Sequence, residues 1–348
     1  HKKLELKPHK YMKKTVAIIF GGCSSEYEIS LVSATSVIRN VNRDKYNILL
    51  IGITKNGDFY LYNGDINDIE KDKWLNESKI QKITISTNRS DHGIIILSTN
   101  EIIKIDIVFP VLHGQNGEDG RLQGLLELAG IKYVGCDMIS SALCMDKYLA
   151  HKIVALNGFL VPRSYLFDKK DSYDWIKSKI NDLRFPLFVK PLKAGSSFGI
   201  TKIKVINELK QALKEAFKYD NKIIVEENID GFEVGCAILG NDKLIIGEVD
   251  EIELEDGFFD YFEKYNLKTS KIHLPARISR EEREKIKETA LAIYKILGCS
   301  GFARVDMFYT KDKKIVFNEV NTIPGCTSHS RYPSMLKEIG IPFEEVID

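Results

Sequence analysis

Short apolar runs alternate with stretches of helical spacing in the first third of the chain. The run TVAIIF, residues 15–20, is followed by a glycine turn and by a helix predicted over residues 30–41. Two further apolar runs, NILLIGI and IDIVFPVLHG, precede an amphipathic helix predicted over residues 121–131. The order strand, glycine turn and helix is an α/β signature. We therefore predict a first α/β domain over residues 12–131.

The pattern changes after residue 131, where a long helical stretch precedes three strands. The stretch is MISSALCMDKYLAHKIVALNG and the strands are FPLFVKP, ITKIKV and KIIVEE, with a helix between the last two. We predict a second, smaller α+β module over residues 132–226. Residues 227–348 form a third module, with predicted strands EVGCAILG, KLIIGEVD, GFARVDMFY and IVFNEVN and a helix over residues 279–297. A last helix has barely started at Asp348, so we expect the natural chain to continue.

Composition disfavours several classes of function. Lysine and arginine total 50 against 49 aspartate and glutamate, a net charge of +1, so no overall field favours nucleic acid or an anionic membrane. No apolar run reaches the ~20 residues that span a bilayer. The basic N-terminus lacks the pattern of a signal peptide, and Met12 is the expected start. The six cysteines are scattered, without a CxxC pair or zinc spacing, which favours a reduced cytoplasmic protein.

Strand alternation brings oxygen-bearing side chains together. In GFARVDMFY, Arg304 and Asp306 point away from the apolar residues, and the polar face of IVFNEVN carries Glu319 and Asn321. A hairpin that turns near residues 312–313 would pair Asp306 with Glu319 and Arg304 with Asn321. Such oxygens suit Mg²⁺ completed by phosphate and water. The competing interpretation is a solvated sheet face whose charges pair locally.

A lysine and a small-residue loop supply a candidate phosphate site. KPLKAGSSFGI puts Lys190 at the end of an apolar strand, before Gly195, Ser196, Ser197 and Gly199. Small residues let backbone N–H groups approach a polyphosphate, hydroxyls add donors and the lysine adds a charge. The order is not that of a Walker A loop, and an ordinary turn is the alternative. Together with a Mg²⁺ triad, the loop indicates a nucleotide.

An acidic link, EENIDGFE, joins the second and third modules. It contains Glu226, Glu227 and Glu233, with Ile229 between them. A link between two sheets can bind adenine through backbone hydrogen bonds and ribose through a carboxylate. Acidic loops are common, so this signal is weak by itself.

Two more loops follow strands of the first domain. GGCSSEYEIS places Glu26 in a glycine turn before a helix, where it could hold a substrate ammonium; a dinucleotide fingerprint is not met. HGQNGEDGRLQG contains His113. A structural histidine and a catalytic one are about equally compatible with that position.

Eight ordered segments resemble the D-alanine–D-alanine ligase family of the ATP-grasp fold. They are GGCSSEYEIS, HGQNGEDGRLQG, SALCMDKYLAHK, KPLKAGSSFGI, EENIDGFEV, FFDYFEKY, GFARVDMF and NEVNTIPGCTSHSRYP. The resemblance extends from residue 15 to residue 345. It implies a doubly wound-like N-terminal α/β domain and two α+β modules that sandwich ATP.

The resemblance also implies a reaction. ATP would phosphorylate the carboxylate of a first D-alanine, and the amine of a second amino acid would then displace phosphate from the acyl phosphate. The residues that would lie along the ATP phosphates are Lys147, Lys190 and Lys264. The residues that would hold two Mg²⁺ ions, with Mn²⁺ as an alternative, are Asp306, Glu319 and Asn321.

The remaining implied roles concern the substrates. Arg304 and the backbone N–H of Gly325 would stabilise the oxyanion of the tetrahedral intermediate. Glu26 would bind the first ammonium, and it would form a hydrogen-bonded set with Ser196 and Tyr265 that covers the site. Glu233 would bind the ribose hydroxyls and Ser330 the carboxylate of the second substrate.

Departures from the housekeeping pattern favour D-serine as the second substrate. Housekeeping ligases have Phe-Tyr-Asp-Tyr where this chain has FFDY, and an apolar residue in place of Arg331; the ending SRYP resembles vancomycin-resistance ligases. Ligases that make the D-lactate ester have histidine at the position of Tyr265 and lysine at that of Val32, so an amine nucleophile is favoured here. As in VanG-type ligases, the serine hydroxyl would meet Arg331, oriented by Asp250, while Phe259 withdraws a competing hydroxyl. The alternative is that Arg331 forms an ion pair that only fixes the loop.

Other functions remain open at this point. The chain is alternatively a housekeeping D-alanine–D-alanine ligase, another ATP-grasp carboxylate–amine ligase or, from a different class, an inactive nucleotide-binding regulatory relative. The intact set of lysines and metal-binding oxygens argues against the last. The family commonly pairs through its N-terminal region, so a homodimer is expected.

Overall fold

A computed structural model describes residues 12–193, 199–254 and 270–348. The described strands form three sheets of eight, four and six strands. This mixture of helices and several sheets confirms the predicted fold class.

The eight-stranded sheet occupies the first part of the chain. Its strands are β1 Lys14–Gly21, β2 Tyr46–Ile53, β3 Phe59–Tyr62, β4 Ile80–Ile85, β5 Gly93–Ile96, β6 Ile102–Lys104, β7 Ile107–Pro110 and β8 Lys132–Tyr133. They lie in the order β6-β5-β4-β3-β2-β1-β7-β8. The helices of this part are α1 Tyr27–Asn40, α2 Ile66–Glu70 and α3 Arg121–Ala129.

The centre of this sheet explains the apolar runs of the sequence. Strand β1 pairs in parallel with β2 and β7, and its residues 17–20 are fully buried. They alternate between two clusters, because Ala17 and Ile19 pack on one face of the sheet and Ile18 and Phe20 on the other. A strand covered on both faces needs apolar side chains throughout. The antiparallel strands β3–β6, which extend the sheet, were not predicted.

The four-stranded sheet is antiparallel throughout. Its strands are β9 Ser164–Asp168, β10 Leu187–Pro191, β11 Thr201–Ile203 and β12 Lys222–Glu227, in the order β11-β10-β12-β9. The helices before and within it are α4 Met138–Met145, α5 Lys147–Leu156, α6 Tyr173–Lys179 and α7 Leu209–Ala216, with 3₁₀ turns at Ile180–Asp182 and Ile206–Glu208. Helices α6 and α7 pack on one face, against Leu187, Val189, Ile223 and Val225.

The six-stranded sheet is also antiparallel. Its strands are β13 Gly231–Leu239, β14 Ile245–Ile246, β15 Asp250–Leu254, β16 Ser270–His273, β17 Phe302–Thr310 and β18 Ile315–Asn321. The order is β16-β15-β13-β17-β18, with β14 paired to β13. The last helices are α8 Arg280–Ile296, α9 Arg331–Glu338 and α10 Phe343–Ile347. The run KLIIGEVD, predicted as one strand, is divided between β14 and the start of β15.

One face of the six-stranded sheet packs on helices. Val234, Cys236, Ala303, Val305 and Met307 are buried there in one cluster with apolar residues of α5 and α8. Helix α8 begins with a capping box between Ser279 and Glu282, which satisfies backbone N–H groups at its first turn. The opposite face carries Arg304 and Asp306, next to Ala237 and Phe302, which belong to a different apolar cluster.

The proposed domain boundaries stay a prediction. Strand β8 continues the first sheet to Tyr133, and α5 packs against β18 of the third sheet although it precedes the second sheet in sequence. All six cysteines are free thiols. Among the helices that the structure describes, none has the length and apolar character required to cross a bilayer.

Trp74 provides a test of the first core. The side chain is fully buried, stacks edge-on against Phe20 at 5.1 Å between centroids, and donates from Nε1 to the Tyr27 hydroxyl at 2.9 Å. We expect Trp74→Ala to lower the free energy of unfolding by roughly 3–5 kcal/mol in denaturant titrations. Trp175→Ala is the matched control, because that tryptophan is 49% exposed, and it should cost less than about 1 kcal/mol. Equal losses for the two variants would contradict this assignment of the core.

Candidate active site

The polar face of the four-stranded sheet carries a buried ion pair. Because α6 and α7 cover the face of Leu187 and Val189, alternation turns Phe188 and Lys190 to the other face. Glu226 pairs with Phe188 in register and so shares that face. Lys190 Nζ donates to Glu226 Oε1, and both side chains are buried. A lysine charge is thus held at the end of β10, where the sequence predicted it.

The hairpin of β17 and β18 has the predicted register. Asp306 lies opposite Glu319 and Arg304 opposite Asn321, with the turn at Lys313 in a left-handed conformation. The register then shifts between Asp306 and Met307, so that Asn318 is skipped. Such a bulge bends a strand and changes the direction of its side chains.

Asp306 is the centre of the polar face of this hairpin. Arg304 donates to both of its carboxylate oxygens at 2.8 Å, and the side-chain amide of Asn321 donates to Oδ2 at 2.8 Å. Asp306 is only 1% exposed. Burial is the largest influence on Arg304 and opposes its charge, but the charge and hydrogen bonds of Asp306, together with the charge of Asp250, raise the pKa of Arg304 overall.

A second buried arginine lies beside this carboxylate. Arg331, the first residue of α9, donates from Nε and Nη2 to the two oxygens of Asp250 at 2.7 and 2.8 Å and from Nη1 to Glu233 at 2.9 Å. Its Nη2 is 3.7 Å from Asp306 Oδ1. Burial disfavours its charge, yet Asp250 and Asp306 raise the pKa of Arg331. A Cβ on Gly235 would lie 2.4 Å from Nη2, so glycine is required there.

Helix α5 directs a lysine to the same region. Asp146 caps α5 by accepting from the Leu149 N–H at 3.0 Å, which sets the direction of the first turn. Lys147 is the first helical residue, and its Nζ lies 3.6 Å from Glu319 Oε2. A cation thus lies beside the second carboxylate of the predicted metal triad.

Loops from the first sheet close the site from the other side. His113 is buried; Nδ1 donates to the Ile323 carbonyl and Nε2 accepts from the Ser33 hydroxyl, each at 3.0 Å. Burial lowers its pKa, so the ring is neutral with both nitrogens engaged. Of the two roles left open for His113, the geometry favours the structural one. Glu26 is buried at the N-cap of α1 and approaches Gly114 so closely that a Cβ there would meet its Oε2 at 2.4 Å.

Glu118 is a residue of this region that the sequence reasoning missed. Its carboxylate accepts from the Gly114 N–H at 3.0 Å and from the Ile323 N–H at 3.1 Å. Glu118 and His113 therefore hold both the N–H and the carbonyl of Ile323, two residues before Gly325. The feature that could have indicated Glu118 is its position in the segment HGQNGEDG, in which only His113 was considered as a site residue.

Ser330 and Gly325 lie together at the start of α9. The Ser330 hydroxyl accepts from the Thr327 N–H at 3.1 Å and lies 2.7 Å from the Thr327 hydroxyl. The position of a Cβ on Gly325 would be 3.1 Å from Ser330 Oγ. The hydroxyl and the Gly325 backbone, predicted to serve two steps of one reaction, are thus neighbours.

Only part of the acidic link between β12 and β13 contacts the charged residues of the candidate site. Glu226 and Glu233 do so through Lys190 and Arg331. Glu227 instead accepts from the Arg184 N–H at 2.9 Å and from Arg163 at 3.3 Å, so its side chain lies apart. Ile229 is half-buried between β12 and β13. Only its backbone groups could form hydrogen bonds with a nucleotide base there.

A Mg²⁺ ion fits the triad chemically. Among the described residues, no group of three or more His, Cys, Asp or Glu could hold a metal, but the triad contains two carboxylates and one amide. The Asn321 nitrogen donates to Asp306, which leaves the amide oxygen at the other end as the metal-binding atom. Mg²⁺ usually takes one or two carboxylates and completes its shell with phosphates and water.

Comparison with protein families decides the identity. A family model described as "D-ala D-ala ligase N-terminus" matches residues 15–136, and one described as "D-ala D-ala ligase C-terminus" matches residues 159–348. The chain belongs to the D-alanine–D-alanine ligase family.

Individual relatives agree with this assignment. The chain is 46% identical to a D-alanine–D-alanine ligase of Caldicellulosiruptor bescii, over 97% of this chain and 93% of the relative. It is 45% identical to the vancomycin B-type resistance protein VanB of Enterococcus faecalis, over 97% of each. The solved VanG D-Ala:D-Ser ligase from Enterococcus faecalis superposes with a TM-score of 0.91 at 55% identity, over 97% of this chain and 98% of that one. This chain is accordingly an ATP-dependent ligase that joins D-alanine to a second substrate.

Several predicted residues of the ligase lie outside the described ranges. They are Ser196, Ser197, Phe259, Lys264 and Tyr265. Their roles stay predictions from the family resemblance.

Glu118 makes the stability of the ligase depend on pH. Burial, with the nearby charge of Glu26, raises the pKa of Glu118 from 4.5 to about 7. The folded chain therefore retains a proton that the unfolded chain loses between these values, so this stabilisation is present below pH 4.5 and is lost as pH rises through 7. We expect the free energy of unfolding of the wild type, relative to Glu118→Gln, to fall by about 1–3 kcal/mol over that range. Glu338→Gln on the exposed end of α9 should show no such trend, and a pH-independent difference for Glu118→Gln would contradict the raised pKa.

Proposed function

We propose that this ligase joins D-alanine to D-serine. The observation that carries the proposal is Arg331, a buried arginine at the start of α9 whose orientation is set by Asp250. Two hydrogen bonds to Asp250 and one to Glu233 hold the guanidinium in one orientation, so that its remaining donors have a fixed direction, as a pocket for a hydroxyl requires.

The hydrogen bonds of Arg331 to described residues leave some of its N–H donors unused. Within the described residues, its Nε and one hydrogen on each of Nη1 and Nη2 are used by Asp250 and Glu233. A guanidinium has five N–H donors, so two remain for a substrate oxygen. The neighbouring Ser330 would bind the substrate carboxylate, which puts the serine side chain within reach of Arg331.

The comparisons support the same choice. VanG, the solved relative reported above, is described as a D-Ala:D-Ser ligase. Other similar proteins are described as D-alanine–D-alanine ligases or as vancomycin-resistance proteins, so the family alone does not select the second substrate. In this proposal, the second substrate is selected by Arg331 and Phe259, the two residues that depart from the housekeeping pattern.

The proposed reaction has two steps. The carboxylate of D-alanine, held through its ammonium by Glu26, attacks the γ-phosphorus of ATP, and ADP leaves. The amine of D-serine then attacks the acyl carbon, and phosphate leaves from the tetrahedral intermediate. Lys147, Lys190 and Lys264 offset the phosphate charge, while Glu226 and the Ile229 backbone bind adenine and Glu233 the ribose.

Arg304 and Gly325 would stabilise the oxyanion of the second step. Arg304 is held by Asp306 and so needs little reorganisation when charge develops. The Gly325 N–H lies on the segment whose Ile323 peptide is held by His113 and Glu118. A Mg²⁺ ion, held by Asp306, Glu319 and Asn321, would neutralise charge on the transferring phosphoryl group.

The product places the ligase in cell-wall synthesis. A D-alanyl–D-serine dipeptide would end a peptidoglycan precursor in place of D-alanyl–D-alanine. On this basis we propose that the ligase has a role in vancomycin resistance. We also propose that it acts in the cytoplasm. A homodimer that pairs through the N-terminal region is part of this proposal. The second candidate is a D-alanine–D-alanine ligase, for which Arg331 only fixes the loop.

The second substrate is decided by competition. We expect kcat/KM for D-serine to exceed that for D-alanine by about tenfold or more, because unpaired donors of Arg331 would penalise the methyl group. Arg331→Lys should lower the D-serine value selectively, since lysine cannot reproduce the two-pronged contact with Asp250. Lys337→Ala removes a charge from the same helix and should leave the ratio unchanged. Equal or better kcat/KM for D-alanine in the wild type would reject D-serine specificity.

The metal site is tested by its affinity for Mg²⁺. Glu319→Gln removes a negative charge from the triad, so half-maximal phosphate release in the presence of D-alanine and D-serine should require about tenfold more Mg²⁺ or greater. Glu338→Gln serves as the control. An unchanged Mg²⁺ requirement would exclude Glu319 as a ligand, and phosphate release without any amino-acid dependence would contradict the ligase function itself.

A further inference from the structure

In the part of the chain that the structure describes, two buried acceptor atoms in the region of Lys190 lack hydrogen-bond partners. Within the described residues, four buried side-chain polar atoms have no hydrogen bond, namely Gln123 Oε1, His151 Nδ1, Glu226 Oε2 and Arg283 Nε. His151 and Glu226 are each 2% exposed. Among the charges that act on the His151 imidazole, that of Glu226 is the strongest, followed by those of Lys190 and Lys147. Two of the four orphaned atoms therefore belong to the region proposed to bind ATP.

The hydrogen bond of His151 fixes which nitrogen is the acceptor. Nε2 lies 2.6 Å from the carbonyl of Asn318, the residue skipped by the bulge in β18. A carbonyl only accepts, so Nε2 carries the hydrogen. Burial lowers the pKa of the imidazole and keeps it neutral, so Nδ1 presents a lone pair. The ring also packs edge-on against Phe317, with 5.5 Å between centroids, and this contact and the hydrogen bond to Asn318 both restrain its orientation.

Glu226 is fixed in the same way. Its Oε1 accepts from Lys190, while Oε2 has no hydrogen-bond partner among the residues that the structure describes. Acceptors buried without a donor are costly, so a ligand that brings two N–H groups on one atom would relieve both. The exocyclic 6-amino group of adenine has this property, whereas guanine presents a carbonyl oxygen there and would be repelled.

We propose that His151 Nδ1, together with Glu226 Oε2, recognises the 6-amino group of adenine and makes His151 a specificity-determining residue for ATP. This inference rests on the nucleotide pocket of the proposed function. It adds a residue one helical turn after Lys147, so that α5 contacts the phosphates with its first residue and the base with its fifth. The bulge contributes by exposing the Asn318 carbonyl that orients the ring.

The proposed contact can be tested by a change in the nucleotide as well as by a change in the protein. Purine riboside triphosphate lacks only the 6-amino group, so its dissociation constant relative to that of ATP isolates the proposed contact. Calorimetric titrations without amino acids measure binding separately from turnover. We expect the wild type to bind ATP about tenfold more tightly than the purine analogue. Equal affinities in the wild type would overturn the proposal without any variant.

Two substitutions separate base recognition from a structural role. The amide oxygen of Asn is as many bonds from Cα as Nδ1 of His, and the amide nitrogen of Gln as many as Nε2. His151→Gln should therefore retain the bond to Asn318 and lose the acceptor, which reduces the ATP preference to about threefold or less. His151→Asn should retain most of it. Lys152→Ala, on the exposed side of α5, is the control.

Two results with the His151 variants would reject base recognition. An ATP preference that persists in His151→Gln, or equal weakening of both nucleotides, would assign His151 to structure or to a bridging water and reject base recognition. Failure of the proposed function is distinguishable, because it appears as absent D-serine- and D-alanine-dependent phosphate release whatever the base preference.

Discussion

The buried carboxylate of Asp306 is the constraint on which the rest of the site depends. It lies 1% exposed on the polar face of the six-stranded sheet, bound by Arg304 and Asn321 and close to Arg331. Removal of one partner from a buried ion pair leaves a charge that costs several kcal/mol, about 3–5. The two arginines, Asp250 and Glu233 are therefore mutually dependent. Such a network holds its groups in place before substrates arrive, which is the condition for electrostatic catalysis.

A second constraint joins the loop after β7 to the segment that follows β18. His113 and Glu118, from the loop after β7, hold the carbonyl and the N–H of Ile323, just after β18. The segment that carries Gly325 is thus held by the loop after β7 as well as by its connection to β18. Because Glu118 also lies near Glu26, the loops that would bind the first amino acid and stabilise the oxyanion share one support. A carboxyl group with a pKa of about 7 at this joint makes the support sensitive to pH.

The sequence predicted much of the fold and part of the site. The hairpin register of Asp306 with Glu319 and of Arg304 with Asn321 was predicted correctly, since alternation along a strand and the position of a turn are local properties. The buried strand β1 and the helices α1, α3 and α8 were predicted within a few residues at their ends. The antiparallel strands β3–β6 were missed, because short strands with mixed polarity carry little periodic signal. Glu227 was grouped with Glu226, although adjacent residues of a strand point to opposite faces.

The sequence by itself determined the family, the order of the elements and the residue types that the chemistry needs, because these follow from local spacing and ordered motifs. The contact of Asp250 with Arg331, across 81 positions of the chain, was also expected from the family resemblance. Only the tertiary structure showed contacts that no motif indicated, such as that of His113 with Ile323 across 210 positions. His151 is likewise placed by the packing of α5 on β18, and Glu226 of β12 comes near enough for its charge to act on the imidazole. Such contacts depend on how sheets pack and on where a bulge falls, and neither has a period that could be read along the chain.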